Sequence, residues 1–323
     1  MEFINSRDLK GLDENGRVFV GVFLLRSVSL RRAKNGKTFL VSDVGDRFGS
    51  FSFNLFEENA AFNMMQNASP GTLLEITGVY ETFNDKFSPR INGVRRMSSA
   101  ELKGLNLEHQ LYDGPKESPK ELQSELEGQI RRIANERLRA TVQCALDDIG
   151  DLFMQNTAAV SMHHAYRYGL LEHSVHVTRA GIALLPFYPH INGDLAIAGM
   201  ILHDIGKCLE YEGDGVYVRT RIGNLQGHVV LGYRLVRKAA LASGLEDDLT
   251  LQLEHIILSH QGMLEYGAAV LPSSPEGVFV ALLDNFDARM AMVEKAIDNT
   301  PANHEFSDKI LGLENVRVFT NGR

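Results

Sequence analysis

Tryptophan is absent from this chain of 323 residues, and cysteine occurs only twice, as Cys144 and Cys208. The two thiols lie far apart and outside any C-x-x-C pattern, which excludes a disulfide framework and a cysteine zinc site and fits a reducing cytoplasm. No stretch approaches the roughly 18 apolar residues that a membrane-spanning helix needs. The opening Met1-Glu2-Phe3-Ile4-Asn5-Ser6-Arg7 also lacks the basic-then-apolar profile of a secretory signal. Neither a membrane partner nor export is expected. Internal repeats and low-complexity segments are missing as well, and with 44% hydrophobic and 23% charged residues the composition is that of an ordinary globular protein. The length exceeds what one hydrophobic core usually organises, so two domains are expected.

A surplus of basic residues is the next absence. The net charge of -8 argues at first against a nucleic-acid partner, because phosphate backbones attract proteins through Lys and Arg. The distribution is uneven, however: residues 1–100 hold 13 Lys/Arg against 11 Asp/Glu, and the remainder 20 against 30. A mildly basic front half precedes an acidic back half. Carboxylates gathered around a cation would contribute to that acidity, and solvated helix faces are the commoner source.

The front half reads as strands and turns. Arg17 to Leu25 is rich in β-branched and aromatic residues, and Asn35-Gly36 is a hairpin signal between Arg31-Arg32 and Thr38-Phe39-Leu40-Val41. In Gly49 to Phe56 the alternation puts Phe51, Phe53 and Leu55 on one face. A short helical stretch from Glu57 to Gln66 leads to a strand over Leu73 to Tyr80, and a last strand is expected near Ser88 to Val94. About five strands with a helix between the third and fourth is the order of an OB-fold, a small closed β-barrel that commonly binds single strands. Phe51 and Phe53 read as core. Phe83 and Phe87, in a polar, turn-rich stretch near Lys86 and Arg90, are the candidates for stacking on bases, since sequence-tolerant single-strand binding uses rings beside cations.

Residues 101–120, with Gly114-Pro115 and Ser118-Pro119, read as a linker, and the chain then turns helical. Glu121 to Leu146 has helical spacing of Leu122, Leu126, Ile130 and Ile133, and further helices are expected around 170–185, 194–210, 226–243, 246–260 and 276–297. The expected architecture is multi-domain: an all-β OB-fold barrel over 1–100, the linker, an all-α domain over 121–300, and a polar tail over 301–323. The tail ends with Val316-Arg317-Val318-Phe319, a candidate docking strand.

Histidine placement carries the chemistry. His173 stands near the start of an apolar helix, and His203-Asp204 ends the almost wholly apolar Ala198-Gly199-Met200-Ile201-Leu202. Burying an imidazole and a carboxylate there would cost several kcal/mol each unless something satisfied them. A divalent cation is the economical answer. His228 follows at the start of the next helix, His260 sits in Leu258-Ser259-His260-Gln261-Gly262, and Asp284 in Leu283-Asp284-Asn285-Phe286-Asp287-Ala288. Imidazole with carboxylate suits Mn, Fe, Co, Ni or Zn better than Ca or Mg, and these six ligands suffice for two ions. Two such ions activate a water and clamp phosphoryl oxygens, the usual arrangement for phosphodiester hydrolysis. Asp204 would bridge them, and Lys207 would hold a non-bridging phosphate oxygen.

His173, His203-Asp204 and Asp284, in this order on successive helices, resemble the H…HD…D signature of the HD superfamily of metal-dependent phosphohydrolases. Met162-His163-His164-Ala165-Tyr166, Gly169-Leu170-Leu171-Glu172-His173, Leu202 to Lys207, Leu258 to Gly262 with Glu265-Tyr266-Gly267, and Leu283 to Ala288 narrow this. Together they look like the YhaM-type 3′-to-5′ exoribonucleases, which join an N-terminal OB domain to an HD domain. The resemblance spans nearly the whole chain. It implies manganese- or cobalt-dependent trimming of single-stranded RNA, or of single-stranded DNA, from the 3′ end. Carried onto these residues, it implies His173, His203, Asp204 and Asp284 as ligands, with His228 and His260 serving a second ion. Two departures stand out: Gln261 occupies the second position of a usual His pair, and Tyr168 stands where a second glycine is common.

Among the other histidines, the pair His163-His164 is a candidate phosphate contact, whereas His176 reads as solvent-facing or capping and His255 lies about 140° round its helix from His260. Asp287 and Arg289, one turn past Asp284, read as a local polar network in which Arg289 is a candidate to meet the substrate. The expectation is a cytoplasmic exonuclease releasing nucleoside monophosphates, its barrel guiding the strand, with homo-oligomers compatible with the sequence. Two rivals stand beside it: a phosphohydrolase of small nucleotides or cyclic dinucleotides, and a binding protein without activity.

Overall fold

A computed structural model describes residues 3–33, 36–83, 86–112, 114–159, 166–213, 217–301 and 304–320. Asn35 of the hairpin signal and the His163-His164 pair lie outside the described residues. The chain divides into two units, Met1–Asp113 with Lys295–Arg323, and Gly114–Glu294.

The first unit contains helix α1 (Ser6–Lys10) and strands β1 (Val18–Arg32), β2 (Thr38–Asp46) and β3 (Gly49–Phe56), then helix α2 (Phe62–Gln66). Strand β4 (Leu73–Val79), the two-residue strands β5 (Thr82–Phe83) and β6 (Lys86–Phe87), and β7 (Arg90–Arg96) follow, with helices α3 (Ser99–Gly104) and α4 (Glu108–Leu111) after them. The principal sheet is antiparallel in the order β3-β2-β1-β4-β7, with α2 between its third and fourth strands as the sequence suggests. β1 serves two partners. Val18 to Leu24 pairs with β4 and Leu24 to Arg32 with β2, and an irregularity between Leu25 and Ser27 lets the strand bend. β3 and β7 remain the edges of the sheet, so the closed barrel expected from the sequence is an open five-stranded sheet here.

Burial follows the alternation. Phe51, Phe53 and Leu55 point into the core with Phe23, Leu25, Leu40, Leu74 and Ile76, while Ser52 and Asn54 face out. One expectation is corrected: Phe87 packs against this core, its ring 5.5 Å from that of Phe51 and 5.3 Å from that of Tyr80. Of the two stacking candidates, Phe83 is the one with a bare ring, 71% exposed. The expected linker also contains structure: α3 and α4 lie within it or at its start, and Leu102, Leu107 and Leu111 are buried. In the tail the candidate docking strand pairs within the tail itself, through the bridges Phe306–Phe319 and Ile310–Val316.

Helices α5 (Pro119–Arg131), α6 (Glu136–Ile149), α7 (Asp151–Gln155), α8 (Gly169–Leu184), α9 (Gly193–Leu202) and α10 (Lys207–Glu210) open the second unit. A small hairpin, β8 (Tyr211–Gly213) and β9 (Tyr217–Arg219), qualifies the all-helical expectation; α11 (Arg221–Ser243), α12 (Asp247–Ser259) and α13 (Pro275–Asn299) complete the set. The helix expected over 121–146 is two helices. Asp194 accepts hydrogen bonds from the backbone of Ala134 and Asn135, and the Asn135 side chain caps α6 by accepting from Leu138 N–H. Every residue of α9 from Leu195 to Leu202 is buried, so this helix is the axis of the unit's core. No helix among the described residues is long and apolar enough to cross a membrane.

Candidate metal centre

The single helix expected over 194–210 ends at Leu202, and His203 to Gly206 form a turn before α10. Compactness of that turn depends on Gly206, because a Cβ there would run into the His228 carbonyl oxygen and the Gly232 backbone nitrogen of α11. α11 is itself broken at Gly227, whose φ of 68° and ψ of 159° suit glycine, and His228 begins the segment beyond the break. His173 projects from the buried face of α8, His260 caps the C-terminus of α12, and Asp284 lies on α13. Five elements thus converge.

Asp204 is their meeting point. On one side His173, His203 and Asp284 gather with it, and on the other His228 and His260, the ligand atoms of each group lying within 4.8 Å of one another. Its Oδ2 is 3.5 Å from His173 Nε2 and 3.4 Å from His203 Nε2. Its Oδ1 is 3.4 Å from His260 Nε2 and 3.6 Å from His228 Nε2. Asp284 Oδ1 lies 3.2 Å from His173 Nε2 and 3.8 Å from His203 Nε2. All four imidazoles therefore turn Nε2 toward one carboxylate.

Their Nδ1 atoms are tied down from behind. Nδ1–H of His203 donates to the Met200 carbonyl at 2.8 Å and that of His260 to the Ile257 carbonyl at 2.7 Å. His173 reaches Asp287 Oδ2 at 2.7 Å, and His228 reaches Glu210 Oε2 at 2.8 Å. Carbonyl and carboxylate oxygens only accept, so each Nδ1 carries a proton; Nε2 of His203, His228 and His260 is then open to a cation, and that of His173 becomes so once its second proton leaves.

The electrostatics ask for positive charge. Burial would raise the carboxyl of Asp204, but Lys207 and His203 hold it well below the usual carboxylate range. Burial likewise opposes ionisation of Asp284, which His173 and His203 keep low. His173 is buried too, yet Asp284 and Asp287 push its pKa up to about 10, and burial pulls His260 down. Lys207 Nζ lies 2.5 Å from Asp204 Oδ2. Apart from that ion pair, neither of the buried Asp204 oxygens has a hydrogen-bond partner among the described residues. A carboxylate in that state, faced by four imidazole nitrogens and a second acid, fits divalent cations on both sides of it.

The six expected ligands are thus brought together. Lys207 joins them by its ion pair, and Arg289 stands half-buried on α13, one turn beyond Asp284. Phe83, Phe87 and Arg90 belong to the other unit, where Arg90 pairs with Glu81 at 2.9 Å. His176, its side chain a quarter exposed, lies 3.0 Å from Glu117 Oε1, and His255 accepts from Ser273 N–H at 2.9 Å. Tyr168 explains the glycine that is common at its position: it precedes α8 at φ 71°, a left-handed conformation costing roughly 1–2 kcal/mol for a residue with a Cβ. Sequence reasoning missed Glu210, which is buried although it follows the charged Lys207 by only three residues and no local pattern marks it. It also assigned Asp287 no part in holding His173.

The HD domain family matches residues 170–289, a span that contains the six expected ligands. The chain is 30% identical to the 3′-5′ exoribonuclease YhaM of Listeria welshimeri over 303 residues, covering 94% of this chain and 95% of that protein. Similarity to the proteins of the same name from Shouchella clausii, at 29% over 304 residues, and Bacillus subtilis, at 28% over 305, covers 93% and 94% of the chain and 92% and 95% of theirs.

Proposed function

The chain belongs to the YhaM family of 3′-5′ exoribonucleases, and we propose that its two units divide the reaction between them. It is a metal-dependent 3′-5′ exonuclease, a hydrolase of phosphodiester bonds. In the reading proposed here the sheet unit, an open relative of the OB-fold, holds single-stranded RNA, and single-stranded DNA by the same contacts. The helical unit removes nucleoside monophosphates from the 3′ end. Manganese is the proposed native ion, with cobalt, iron and nickel as substitutes of similar ligand preference.

One observation carries the reading: the two buried oxygens of Asp204 face two separate groups of imidazoles and, apart from the Lys207 ion pair, have no hydrogen-bond partner among the described residues. His173, His203, Asp204 and Asp284 would hold one cation, and Asp204, His228 and His260 a second. Cations there supply Lewis acidity at the phosphoryl oxygens and a water of lowered pKa. The chain's own side chains do the rest. Asp287 and Glu210 fix imidazole orientation, and Lys207, 2.5 Å from Asp204, carries a buried positive charge that can turn to a non-bridging phosphate oxygen. Phe83 offers a base a free face, and Arg90 on β7, Arg289 and the His163-His164 pair are proposed contacts of the substrate. The two thiols are free, in keeping with a cytoplasmic enzyme.

The test is hydrolysis of 5′-end-labelled single-stranded RNA with manganese. The wild type is expected to produce a ladder shortening from the 3′ end, and Asp204→Ala to abolish it while strand binding persists. Turnover by Asp204→Ala at the wild-type rate would refute the assignment, and preference for mononucleotides over oligomers would favour a small-nucleotide phosphohydrolase.

A further inference from the structure

Gln261, one of the two departures from the family pattern, stands inside the second group of ligands. Its amide nitrogen Nε2 lies 3.0 Å from His260 Nε2 and 3.2 Å from His228 Nε2. Both imidazoles carry their proton on Nδ1, because the Ile257 carbonyl and the Glu210 carboxylate there only accept. Each Nε2 is therefore a lone pair aimed at the amide, and a carboxamide NH2 has two hydrogens to donate. Turned over, the amide would set its oxygen against both lone pairs, so the hydrogen-bond network selects the orientation observed.

A cation shared by Asp204, His228 and His260 needs those same two lone pairs. No amide spans the first group among the described residues, where His173, His203 and Asp284 face one another directly. Gln261 is half-buried, unlike the fully buried His260, and Gly262 follows it at φ 75° in a turn rather than in a helix.

We propose that Gln261 is a tethered plug of the second cation site, so that the first site fills at low metal and the second only when the amide is displaced. The proposal rests on the reading of both groups as metal sites. Its consequence is regulatory: one ion is held structurally, and the doubly loaded state follows the free concentration of divalent cation. Displacing two neutral hydrogen bonds is expected to weaken the second step by roughly tenfold.

The experiment is a titration of the metal-free full-length protein with manganese, followed by calorimetry and by the electron paramagnetic resonance signal of the free ion. Wild type is expected to bind in two steps, the second about tenfold or more weaker. Gln261→Ala is expected to tighten the second step by about the same factor and leave the first unchanged, and Gln261→Glu to tighten it further by adding a carboxylate. His228→Ala assigns the steps, since it should remove only the weaker one, and circular dichroism melts check that each variant is folded. Two equal steps in the wild type, or a second step that Gln261→Ala does not move, would overturn the plug. Absence of manganese binding to wild type and Gln261→Ala alike would instead overturn the metal-centre reading.

Discussion

Glu210 Oε2 lies 2.8 Å from His228 Nδ1, a carboxylate–imidazole pair joining the end of α10 to the middle of α11. The same carboxylate lies 3.4 Å from the Arg219 guanidinium on β9, so one buried acid links the small hairpin to the metal centre. Asp287 does the corresponding work for His173 at 2.7 Å. Each proposed cation site thus has one imidazole backed by a carboxylate and one, His203 or His260, backed by the main-chain carbonyl three residues earlier.

Loss of such a backing carboxylate should weaken the metal rather than the fold. Glu210→Gln keeps the volume but can present its amide nitrogen to His228, and a roughly 10–100-fold loss of manganese affinity in the weaker step is expected. Calorimetric titration measures it. The stronger step, which does not use His228, should be unchanged.

Proton release accompanies metal binding. His173 is held protonated by Asp284 and Asp287, with its pKa raised from 6.5 to about 10. A cation needs its Nε2 lone pair, so near neutral pH about one proton should leave as the first ion binds, and affinity should rise with pH until about pH 10. Calorimetry in buffers of different ionisation enthalpy counts the proton. For the metal-free protein the sign of the stability effect follows from the same shift. The pKa is higher in the folded state, so this contribution is fully present below pH 6.5 and is lost as pH rises through about 10.

The two phenylalanines once grouped as stacking candidates should separate cleanly. Phe83→Ala removes an exposed ring and should weaken single-stranded RNA binding by about 1–3 kcal/mol if one base stacks there, with the melting temperature unchanged. Phe87→Ala removes a ring packed on Phe51 and Tyr80 and should cost about 1–3 kcal/mol of stability instead. Fluorescence anisotropy and thermal melts distinguish them, and an RNA affinity indifferent to Phe83 would remove it from the binding surface.

Gly206→Ala tests the packing of the His203-Asp204 turn. The added Cβ meets backbone of α11 on two sides, at the His228 carbonyl and Gly232 nitrogen, neither of which is a flexible side-chain end. A destabilisation of about 1–3 kcal/mol is expected, together with weaker manganese binding as His228 moves away from Asp204. Retention of wild-type melting and metal content would show that the turn tolerates the shift.

Much of the fold was legible because burial imposes a period on the residues that form an element. The alternation of Phe51, Phe53 and Leu55 located β3 and its inner face, and the helical spacing around Leu122 and Leu126 located α5. Boundaries were less legible where the determining partner is remote, as at the α5–α6 break, where Asp194 holds Ala134 and Asn135 from about 60 positions away. Closure of the sheet was not legible either, since edge pairing depends on how far β1 and β7 bend rather than on any local pattern.

By itself the sequence determined which residues could bind cations, because imidazoles and acids at the ends of apolar helices have few other ways to be satisfied. His173, His203, Asp204, His228, His260 and Asp284 could all be named on that ground. Tertiary structure alone decided how they are shared. It set the two oxygens of Asp204 toward different imidazoles, put Glu210 behind His228, and laid the Gln261 amide across two lone pairs. Those relations depend on directions and distances between elements far apart in the chain, and no periodicity in the residue order encodes them.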